Sequence, residues 1–545
     1  MEHHAQSLEG GLTEPEAGAV DRRRFLGQLA AVGLSASAAE ALLSGATANA
    51  AVAAGTTLRL RGDNDISNTD PAFWPTHIDE WCALSTMEGL VSFRTGTFNN
   101  VNCLAESLER SPDGMRIHFK LKQGVEFHGG YGEMTSSDVK YSYERIAGLT
   151  KPNLHAVYQG DWNALRQVKL EGKYAGTIIL KQKFAPLDRS TLPAGAGLIV
   201  SQKAVEKLGK KFATHPIGTG PYEFVSWTPK QKIVLKRFDK YAGANKGFVR
   251  GPFFEGIEIL PIVNESAAET AVRAGDVDFT EISTGSVERF KADSRFQSVS
   301  RNTLDYQFMA INVTDPQLKD LNLRLAIRYG IDVPSIIEAA FDNKWKRANA
   351  IIPQNMGLGY WKGAPAYVRD VDKAKGYLTK SGLSNVTLKL ACVDDEVDKT
   401  VCQVIQANLK DVGITINLDA VDSATFNAIP GAGGGGKNRQ LVYGGYVTEP
   451  DPSWSTVWFT CAQNGLWNWD NWCDKGGFDR LHYAAIKETN PAKRQSLYVQ
   501  LQKLWDAEAS MVWIAYHTRY YAGRKGLTPA LRPDGHLIPY AFRAA

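Results

Sequence analysis

Apolar and polar residues alternate over residues 256–260, with the period expected of a β-strand. The spacing then becomes helical over residues 265–274, which Gly275 ends, and residues 277–279 return to a strand pattern. Two strands joined by one helix and so short a return require a parallel crossover. This stretch therefore predicts a strand–helix–strand unit typical of α/β proteins.

A second unit of the same kind begins at Val386 and ends at Leu418. Alternating apolar residues predict its two strands, and Gly413 is placed to cap the helix between them. The apolar face of that helix consists of Val401, Val404, Ile405, Leu409 and Val412. Because the two units are far apart in the sequence, they predict an α/β protein with two lobes.

The pattern changes over residues 104–220, which carry no such unit. Residues 112–114 read Pro-Asp-Gly and predict a turn into an alternating strand at residues 117–121. Residues 135–138 match a capping box, which predicts that a helix begins there. We interpret this block as an insertion within the first lobe.

The first 50 residues have the three parts of an export signal. A basic segment at residues 21–27 is followed by small, mildly apolar residues at 29–43, and then by Ala-Asn-Ala at 48–50. The apolar run is too short, and too rich in Ala, Ser and Gly, to anchor the chain in a membrane. We predict cleavage near Ala50, which would release a soluble, periplasmic protein.

The basic segment resembles a twin-arginine signal, an address that a dedicated export receptor reads. The matching residues are Arg22, Arg23, Phe25 and Leu26. No cysteine lies near the predicted cleavage site, so we do not expect a lipid anchor there. The segment therefore predicts export by the route that carries folded proteins.

Charge adds little to this picture, because the formal net charge is only +4 and the basic residues are scattered. A nucleic-acid-binding surface would cluster them, so we predict no nucleic-acid partner.

The Gly-rich run at residues 431–437 has phosphate-loop spacing, but Asn438 replaces the Ser or Thr that would hold magnesium. We interpret this run as a flexible surface loop.

Catalytic motifs are missing, since the sequence contains neither a GxSxG nor an HExxH pattern. The histidines are mostly isolated: His77, His118, His128, His155, His215, His482, His517 and His536. We therefore predict a protein that is not an enzyme and that needs neither cofactor nor metal. A secreted enzyme is the alternative from another class, because twin-arginine export often serves enzymes that carry cofactors.

Six cysteines follow the predicted cleavage site, which fits an oxidising compartment. Short spacings favour three local disulfides, although the sequence alone leaves other pairings open. The favoured bridges join Cys82 to Cys103, Cys392 to Cys402, and Cys461 to Cys473. No pair or cluster has the spacing of a zinc site.

Several blocks resemble the family 5 extracellular solute-binding proteins, which include receptors for dipeptides, oligopeptides and nickel chelates. The blocks lie at residues 88–91, 104–107, 111–114, 119–128, 136–139, 216–224, 274–278, 324–326, 331–332 and 373–375. Each block alone is a weak signal. Their order and their spread over nearly all of the exported chain make the set specific to that family.

The resemblance implies an α/β, two-lobed periplasmic binding protein fold of class II, cluster C type. Lobe one would comprise residues 51–305 and the returning residues 517–545, with an extra subdomain inserted at about 90–215. Lobe two would comprise residues 306–516, and residues 1–50 would be the signal peptide. Such lobes close around a solute by a hinge motion.

The implied function is that of the substrate-binding component of an ABC importer. Its ligand would be a peptide or a similar small solute, and its partners would be the membrane permease subunits. We expect the protein to be a monomer. Carriers of metal chelates, opines or oligosaccharides share this fold and are alternatives; in a chelate carrier, His482 or His517 would contact the cargo.

The resemblance also places the solute beside residues 444–454, a segment that lines the cleft of peptide receptors. In those receptors an Asp commonly holds the α-ammonium of the peptide, and Thr448 occupies the matching position here. Glu449 is next to it and could supply a carboxylate if Pro450 bends the chain. The predicted contacts in this segment are Tyr446, Thr448, Glu449 and Trp454.

Aromatic residues give a second indication of the site. Two of them follow the sequence Asn-Thr-Asp-Pro at residues 68–71, in the N-terminal region where the family builds part of its cleft. Two others lie between Cys461 and Cys473, in a loop that resembles a disulfide loop of dipeptide receptors. Flat aromatic faces can bind peptide side chains or sugar rings. The predicted aromatic contacts are Phe73, Trp74, Trp467 and Trp469.

Overall fold

The computed structural model describes residues 56–73, 76–150, 154–241, 252–428 and 439–544. The predicted export signal, with Arg22, Arg23, Phe25 and Leu26, lies outside the described residues, as do Trp74 and the Gly-rich run. The described residues all belong to one compact unit. No helix among them is both long enough and apolar enough to cross a membrane.

The described chain alternates between helices and strands along most of its length. The helices are α1 (His77–Thr86), α2 (Ser136–Ile146), α3 (Gln202–Leu208), α4 (Glu265–Ala274), α5 (Val287–Ala292), α6 (Leu321–Gly330), α7 (Val333–Phe341), α8 (Val371–Ser381), α9 (Glu396–Val412), α10 (Ser423–Ala428), α11 (Pro452–Val457), α12 (Arg480–Lys487) and α13 (Pro491–Ala507). The strands are β1 (Thr57–Gly62), β2 (Glu88–Gly89), β3 (Val91–Phe93), β4 (Asn100–Asn102), β5 (Ala105–Arg110), β6 (Arg116–Leu121), β7 (Leu165–Leu170), β8 (Ala175–Leu180), β9 (Leu198–Ile199), β10 (Tyr222–Thr228), β11 (Lys232–Arg237), β12 (Gly256–Pro261), β13 (Phe279–Ile282), β14 (Phe296–Ile311), β15 (Lys346–Arg347), β16 (Thr387–Val393), β17 (Thr415–Val421), β18 (Leu441–Tyr446), β19 (Met511–Arg524), β20 (Leu527–Thr528) and β21 (Arg543–Ala544).

A large mixed sheet runs through the molecule in the order β10-β11-β12-β1-β13-β19-β14-β18-β16-β17, and β15 pairs with β19. At one end, β1 pairs in parallel with β12 and β13; at the other, β16 pairs in parallel with β17 and β18. The long strands β14 and β19 pair antiparallel between these two ends. The sheet and its helices confirm the predicted α/β class.

Both predicted crossover units are present in the structure. The helix α4 begins after Asn264, whose side chain accepts a hydrogen bond from the Ala267 N–H, and it ends at Gly275 with φ 84°. The helix α9 connects β16 to its parallel neighbour β17 and ends at Gly413 with φ 96°. Glycine adopts such positive φ angles with little strain, which is why both helices stop at these positions.

Residues 105–180 contribute a separate antiparallel sheet in the order β5-β6-β8-β7. The helix α2 packs against it and begins, as predicted, with a capping box in which Thr135 and Asp138 satisfy each other's backbone N–H groups. Val139, Tyr143 and Ile146 on this helix are buried in the core that the block shares with the sheet. The insertion and the lobe boundaries stay predictions.

Cys461 and Cys473 form the predicted disulfide, with their Cα atoms 4.7 Å apart. The other two predicted bridges are wrong, because the remaining four cysteines are buried and form no disulfide. Cys82 and Cys103 pack into different apolar cores. Cys392 and Cys402 share one core without a disulfide between them, and buried thiols of this kind behave as small apolar side chains. Short sequence spacing was therefore not enough to establish pairing.

Candidate functional site

A cavity with a volume of about 370 Å³ is formed where four distant parts of the chain meet. It is lined by Asn64, Thr76, His77, Tyr158, Val447, Glu449, Trp454, Trp458 and His536. Pockets that take small-molecule ligands commonly measure about 300 to 1,000 Å³. The cavity is therefore large enough to hold a small solute.

The ends of regular elements place these side chains around the cavity. Asn64 follows β1, and His77 is the first residue of α1, after the capping residue Thr76. Glu449 lies in the short segment between β18 and α11, and Trp454 lies within α11. Residues that follow strands or begin helices are the usual source of ligand contacts in α/β sheets.

Aromatic side chains form one wall of the cavity. The rings of Trp454 and Trp458 stand perpendicular to each other, with centroids 5.6 Å apart. Tyr158, from the block at residues 105–180, lies nearly parallel to Trp454 at 6.4 Å. These rings offer flat apolar surfaces, and their faces also attract cations.

Glu449 is half-buried, and its Oε2 is shielded from solvent without a hydrogen-bond partner among the described residues. Burial raises the pKa of Glu449 to about 8, and the attraction of Arg532 does not compensate. The nearby carboxylates of Glu80, Asp534 and Asp161 raise this pKa further. The cavity thus contains a carboxyl group that its own protein leaves unsatisfied.

Arg532 is the cation that acts to lower the pKa of Glu449, but other side chains hold it. Its Nη1 donates to Glu80 Oε1 at 3.1 Å, and its Nη2 donates to Asp534 Oδ2 at 2.7 Å. Nη2 also lies 2.7 Å from His536 Nδ1, which must accept because a guanidinium group only donates. Arg532 therefore supports the floor of the site and does not line it.

His77, Glu80 and His536 are close enough to be considered as metal ligands, since one ligating atom from each lies within 4.8 Å of the others. However, Arg532 already donates to both Glu80 and His536, and its charge opposes a bound cation there. Burial is the main cause that lowers the pKa of His77. The arrangement is that of a buried ion-pair network next to the cavity.

Two of the predicted contact residues, Glu449 and Trp454, line the cavity. The neighbouring Thr448 is sealed away from it, with only 1 % of its surface exposed. Its N–H donates to Asp305 Oδ1 at 3.1 Å, and its hydroxyl lies 2.7 Å from that of Ser455. The segment after β18 therefore turns Glu449, and not Thr448, towards the cavity.

The other predicted contacts that the structure describes pack elsewhere. Tyr446 packs in an apolar core and its hydroxyl donates to the Trp467 carbonyl. Trp469 is buried in that same core, 4.9 Å from the Tyr446 ring, and Phe73 packs against the core at residues 105–180. None of these four lines the cavity.

The two histidines considered for a chelate cargo also lie outside the cavity. His482 is fully buried, with its Nδ1 2.8 Å from the Thr456 hydroxyl. His517 packs on Trp345 at 4.2 Å between ring centroids. Neither position favours a metal-chelate carrier that uses these side chains.

Seven lining residues were not predicted: Asn64, Thr76, His77, Tyr158, Val447, Trp458 and His536. Most come from segments hundreds of residues apart, which only the folded chain brings together. Val447 and Trp458 are the exceptions, because Val447 lies within the segment at residues 444–454. Trp458 stands four residues after Trp454 and so falls on the same helical face. That spacing could have identified it.

The mixed sheet has parallel units at both ends, and two long strands join them. Together with a cavity lined from distant segments, this sheet defines a two-lobed binding protein. Matches to known proteins specify the class further. The model of "Bacterial extracellular solute-binding proteins, family 5 Middle" matches residues 100–465. The chain belongs to this family, as the sequence blocks indicated.

Individual relatives are distant but cover most of the chain. A glutathione-binding protein GsiB from Pectobacterium atrosepticum is 24% identical over 480 residues, which is 85% of this chain and 89% of that protein. The periplasmic binding protein DppA from Helicobacter pylori, solved with the peptide STSA, has a TM-score of 0.77 and 21% sequence identity. The match covers 90% of this chain and 98% of the DppA chain. MoaA from A. tumefaciens R10, solved with mannopinic acid, has a TM-score of 0.74 and 24% sequence identity. The match covers 90% of this chain and 100% of the MoaA chain. These structures confirm the predicted two-lobed fold.

Proposed function

We propose that this chain is the exported substrate-binding component of an ABC importer and that it encloses a peptide-sized solute in the cavity beside Glu449. Members of family 5 are solute-binding proteins of such importers, and the chain carries the family's blocks along most of its length. The permease subunits of the importer are then its partners in the membrane. Its role is capture and release, so it requires no catalytic group.

The observation that supports this proposal most directly is the position of the cavity. Asn64, His77 and Tyr158 belong to predicted lobe one, whereas Glu449 and Trp454 belong to predicted lobe two. His536, in the returning C-terminal segment, is assigned to lobe one as well. A solute in this cavity would touch both lobes and would therefore favour their closed arrangement.

Direct contacts between the same two lobes support closure. Arg189, from predicted lobe one, donates from Nε to the Pro450 carbonyl at 3.0 Å and from Nη2 to the Met356 carbonyl at 2.9 Å. Both carbonyls belong to predicted lobe two. These bonds can form only when the lobes are together, which is the arrangement expected around a bound solute.

Export and location complete the proposal. The export signal predicted at residues 1–50 would place the folded protein in the periplasm. There we expect it to act as a monomer. The disulfide between Cys461 and Cys473 fits that oxidising compartment.

The test is to purify the protein from its own host, release any bound small molecule by denaturation, and identify it by mass spectrometry. Adding that molecule back to emptied protein should reduce the radius of gyration in small-angle scattering. The molecule should be recovered chemically unchanged. Recovery of a converted product would contradict the receptor role, and so would the absence of any bound or rebinding solute.

A further inference from the structure

Among the described residues, the cavity lining includes an acidic side chain but no basic Lys or Arg. The acidic side chain is that of Glu449. Arg519, which lies near His77, is directed towards Asp305 at 3.7 Å and Glu281 at 3.9 Å. Arg532 is engaged by Glu80 and Asp534, as described above. The cations around the cavity are therefore already neutralised by the protein's own carboxylates.

Unsatisfied hydrogen-bond acceptors show the same bias. Glu449 Oε2 and Asn64 Oδ1 are both buried and have no hydrogen-bond partner among the described residues, and both side chains line the cavity. Leaving a buried acceptor without a donor is costly. A ligand that brings N–H donors would satisfy both atoms, whereas a ligand that brings only acceptors would satisfy neither.

The aromatic wall is compatible with positive charge as well. Trp454, Trp458 and Tyr158 surround the same space, and ring faces attract ammonium and guanidinium groups. The backbone N–H of Thr448, the residue before Glu449, is already bonded to Asp305. It is therefore not free to hold a ligand carboxylate.

We propose that this cavity selects organic cations: solutes with an N–H-bearing ammonium or guanidinium group, adjoining apolar surface, and no free carboxylate held within the cavity. The inference rests on the proposed function, because it concerns the same cavity. The bound cation favours the ionised form of Glu449, which releases its proton to solvent. The Glu449 carboxylate and the Asn64 carbonyl oxygen then accept from the cationic group, and the indole rings cover its apolar part. A ligand carboxylate would lose its hydration without gaining a cationic partner.

This selectivity differs from what the names of the relatives indicate for those proteins. Glutathione and mannopinic acid both carry free carboxylates, and each is attributed to its own binding protein. Those two relatives are only 24% identical to this chain, so their ligands do not transfer. The lining of this cavity favours a solute of the opposite charge.

Three probes on one scaffold test the proposal by isothermal titration calorimetry at neutral pH. Alanylphenylalanine amide carries one positive charge, alanylphenylalanine is zwitterionic, and N-acetyl-alanylphenylalanine carries one negative charge. We expect the amide to bind at least about tenfold more tightly than the free acid, a difference of roughly 1.4 kcal/mol. The acetylated peptide should not bind. Equal or tighter binding of the free acid, or any saturable binding of the acetylated peptide, would overturn the proposal.

A matched pair of variants tests the anchor. Glu449→Gln should weaken binding of the amide by about tenfold or more, because Gln keeps the shape but cannot ionise to pair with the bound cation. Glu338→Gln changes the same group on the exposed surface of α7 and should leave binding unchanged. Equal affinities in the two variants would overturn the role of Glu449.

The ligand recovered from the native host distinguishes the proposed selectivity for organic cations from the proposed receptor function. It also tests the charge selectivity if none of the three peptide probes binds. A recovered organic cation without a carboxylate supports both proposals. A zwitterionic or anionic ligand that closes the lobes overturns the charge selectivity and leaves the receptor role intact. If no solute binds at all, both proposals fail.

Discussion

Asp451 and Glu449 are two residues apart, yet they occupy opposite environments. Asp451 is fully buried and accepts two hydrogen bonds from Arg494, at 2.6 and 2.7 Å. It also accepts from the N–H of Ser453 and so caps α11. Burial acts to raise the pKa of Asp451, but Arg494 outweighs it and the pKa is lowered. Glu449 shows the reverse balance, because burial dominates and raises its pKa to about 8.

The difference separates structural charge from functional charge. A buried carboxylate with a complete set of partners holds two elements together, and removing one partner leaves an uncompensated charge. A buried carboxyl group without a partner weakens the folded state and is retained where a ligand uses it. Asp451 and Arg494 therefore stabilise the wall of the cavity, whereas Glu449 lines the cavity itself.

The largest effect should come from breaking the paired carboxylate. Replacing Arg494→Met should lower the free energy of unfolding by about 3–5 kcal/mol, because Asp451 would stay buried without its partner. Urea denaturation followed by circular dichroism measures this. The matched change Arg301→Met, at an exposed arginine on β14, should cost less than about 0.5 kcal/mol. A loss below about 1 kcal/mol for the first variant would mean that the pair is not structural.

The second-largest effect on stability should come from removing the disulfide, which lies outside the cavity. Changing Cys461 and Cys473 together to Ser should cost roughly 3 kcal/mol of unfolding free energy, because the unfolded chain regains the freedom of the loop. Affinity for the amide probe should stay within about twofold, since neither cysteine lines the cavity. Treating wild-type protein with a reductant should reproduce the loss of stability. A large loss of affinity with unchanged stability would assign the loop to the site instead.

A smaller effect should appear in the pH dependence of stability at the unpaired carboxyl group. The folded-state pKa of Glu449 lies above its unfolded value, so its contribution to stability is fully present at low pH and is lost as pH rises to about 8. Between pH 5 and about 8, wild-type protein without ligand should therefore lose at least about 1.4 kcal/mol relative to Glu449→Gln, the equivalent of one pKa unit.

The groups that face or influence Glu449 are Glu80, Asp161, Asp534, Arg532, His77 and His536. These groups are common to the wild type and the Gln variant, so the difference between the two isolates Glu449. Parallel denaturation curves at pH 5, 6, 7 and 8 measure that difference. A gap that stays constant over this range would show that Glu449 is ionised throughout.

The smallest effect should come from Thr448, next to Glu449. Thr448→Val removes a hydroxyl that contacts only the Ser455 hydroxyl among the described residues. We expect a stability loss of about 1 kcal/mol and a change in probe affinity below about twofold. Calorimetry on this variant beside Glu449→Gln gives the sharpest form of the comparison. A larger affinity loss at Thr448 than at Glu449 would return the anchor to the position that the family resemblance implies.

Local signals in the sequence predicted the parts of the fold that depend on local physics. Gly275 and Gly413 ended their helices because they supply positive φ angles, and residues 135–138 formed the capping box. The site was predicted only in part, for a geometrical reason. A strand pattern does not say which of Thr448 and Glu449 faces the cavity once Pro450 redirects the chain.

Distant contributions were beyond sequence reasoning altogether. Asn64, His77 and His536 meet only because β1, α1 and the C-terminal segment converge. Cys82 and Cys103, which form no disulfide, make the same point, since their separation of twenty-odd residues did not reveal that they pack into different cores. The periodicity of a sequence does not encode which side chains become neighbours in the folded protein.

The central claim, that the solute lies against Glu449 and the aromatic wall, is tested most directly by a crystal structure of the protein with the ligand it retains from its host. We predict ligand density within about 4 Å of Glu449, Trp454 and Tyr158, with a nitrogen donating to Glu449 Oε2. Density elsewhere in the molecule, or a ligand whose carboxylate faces Glu449, would contradict the account.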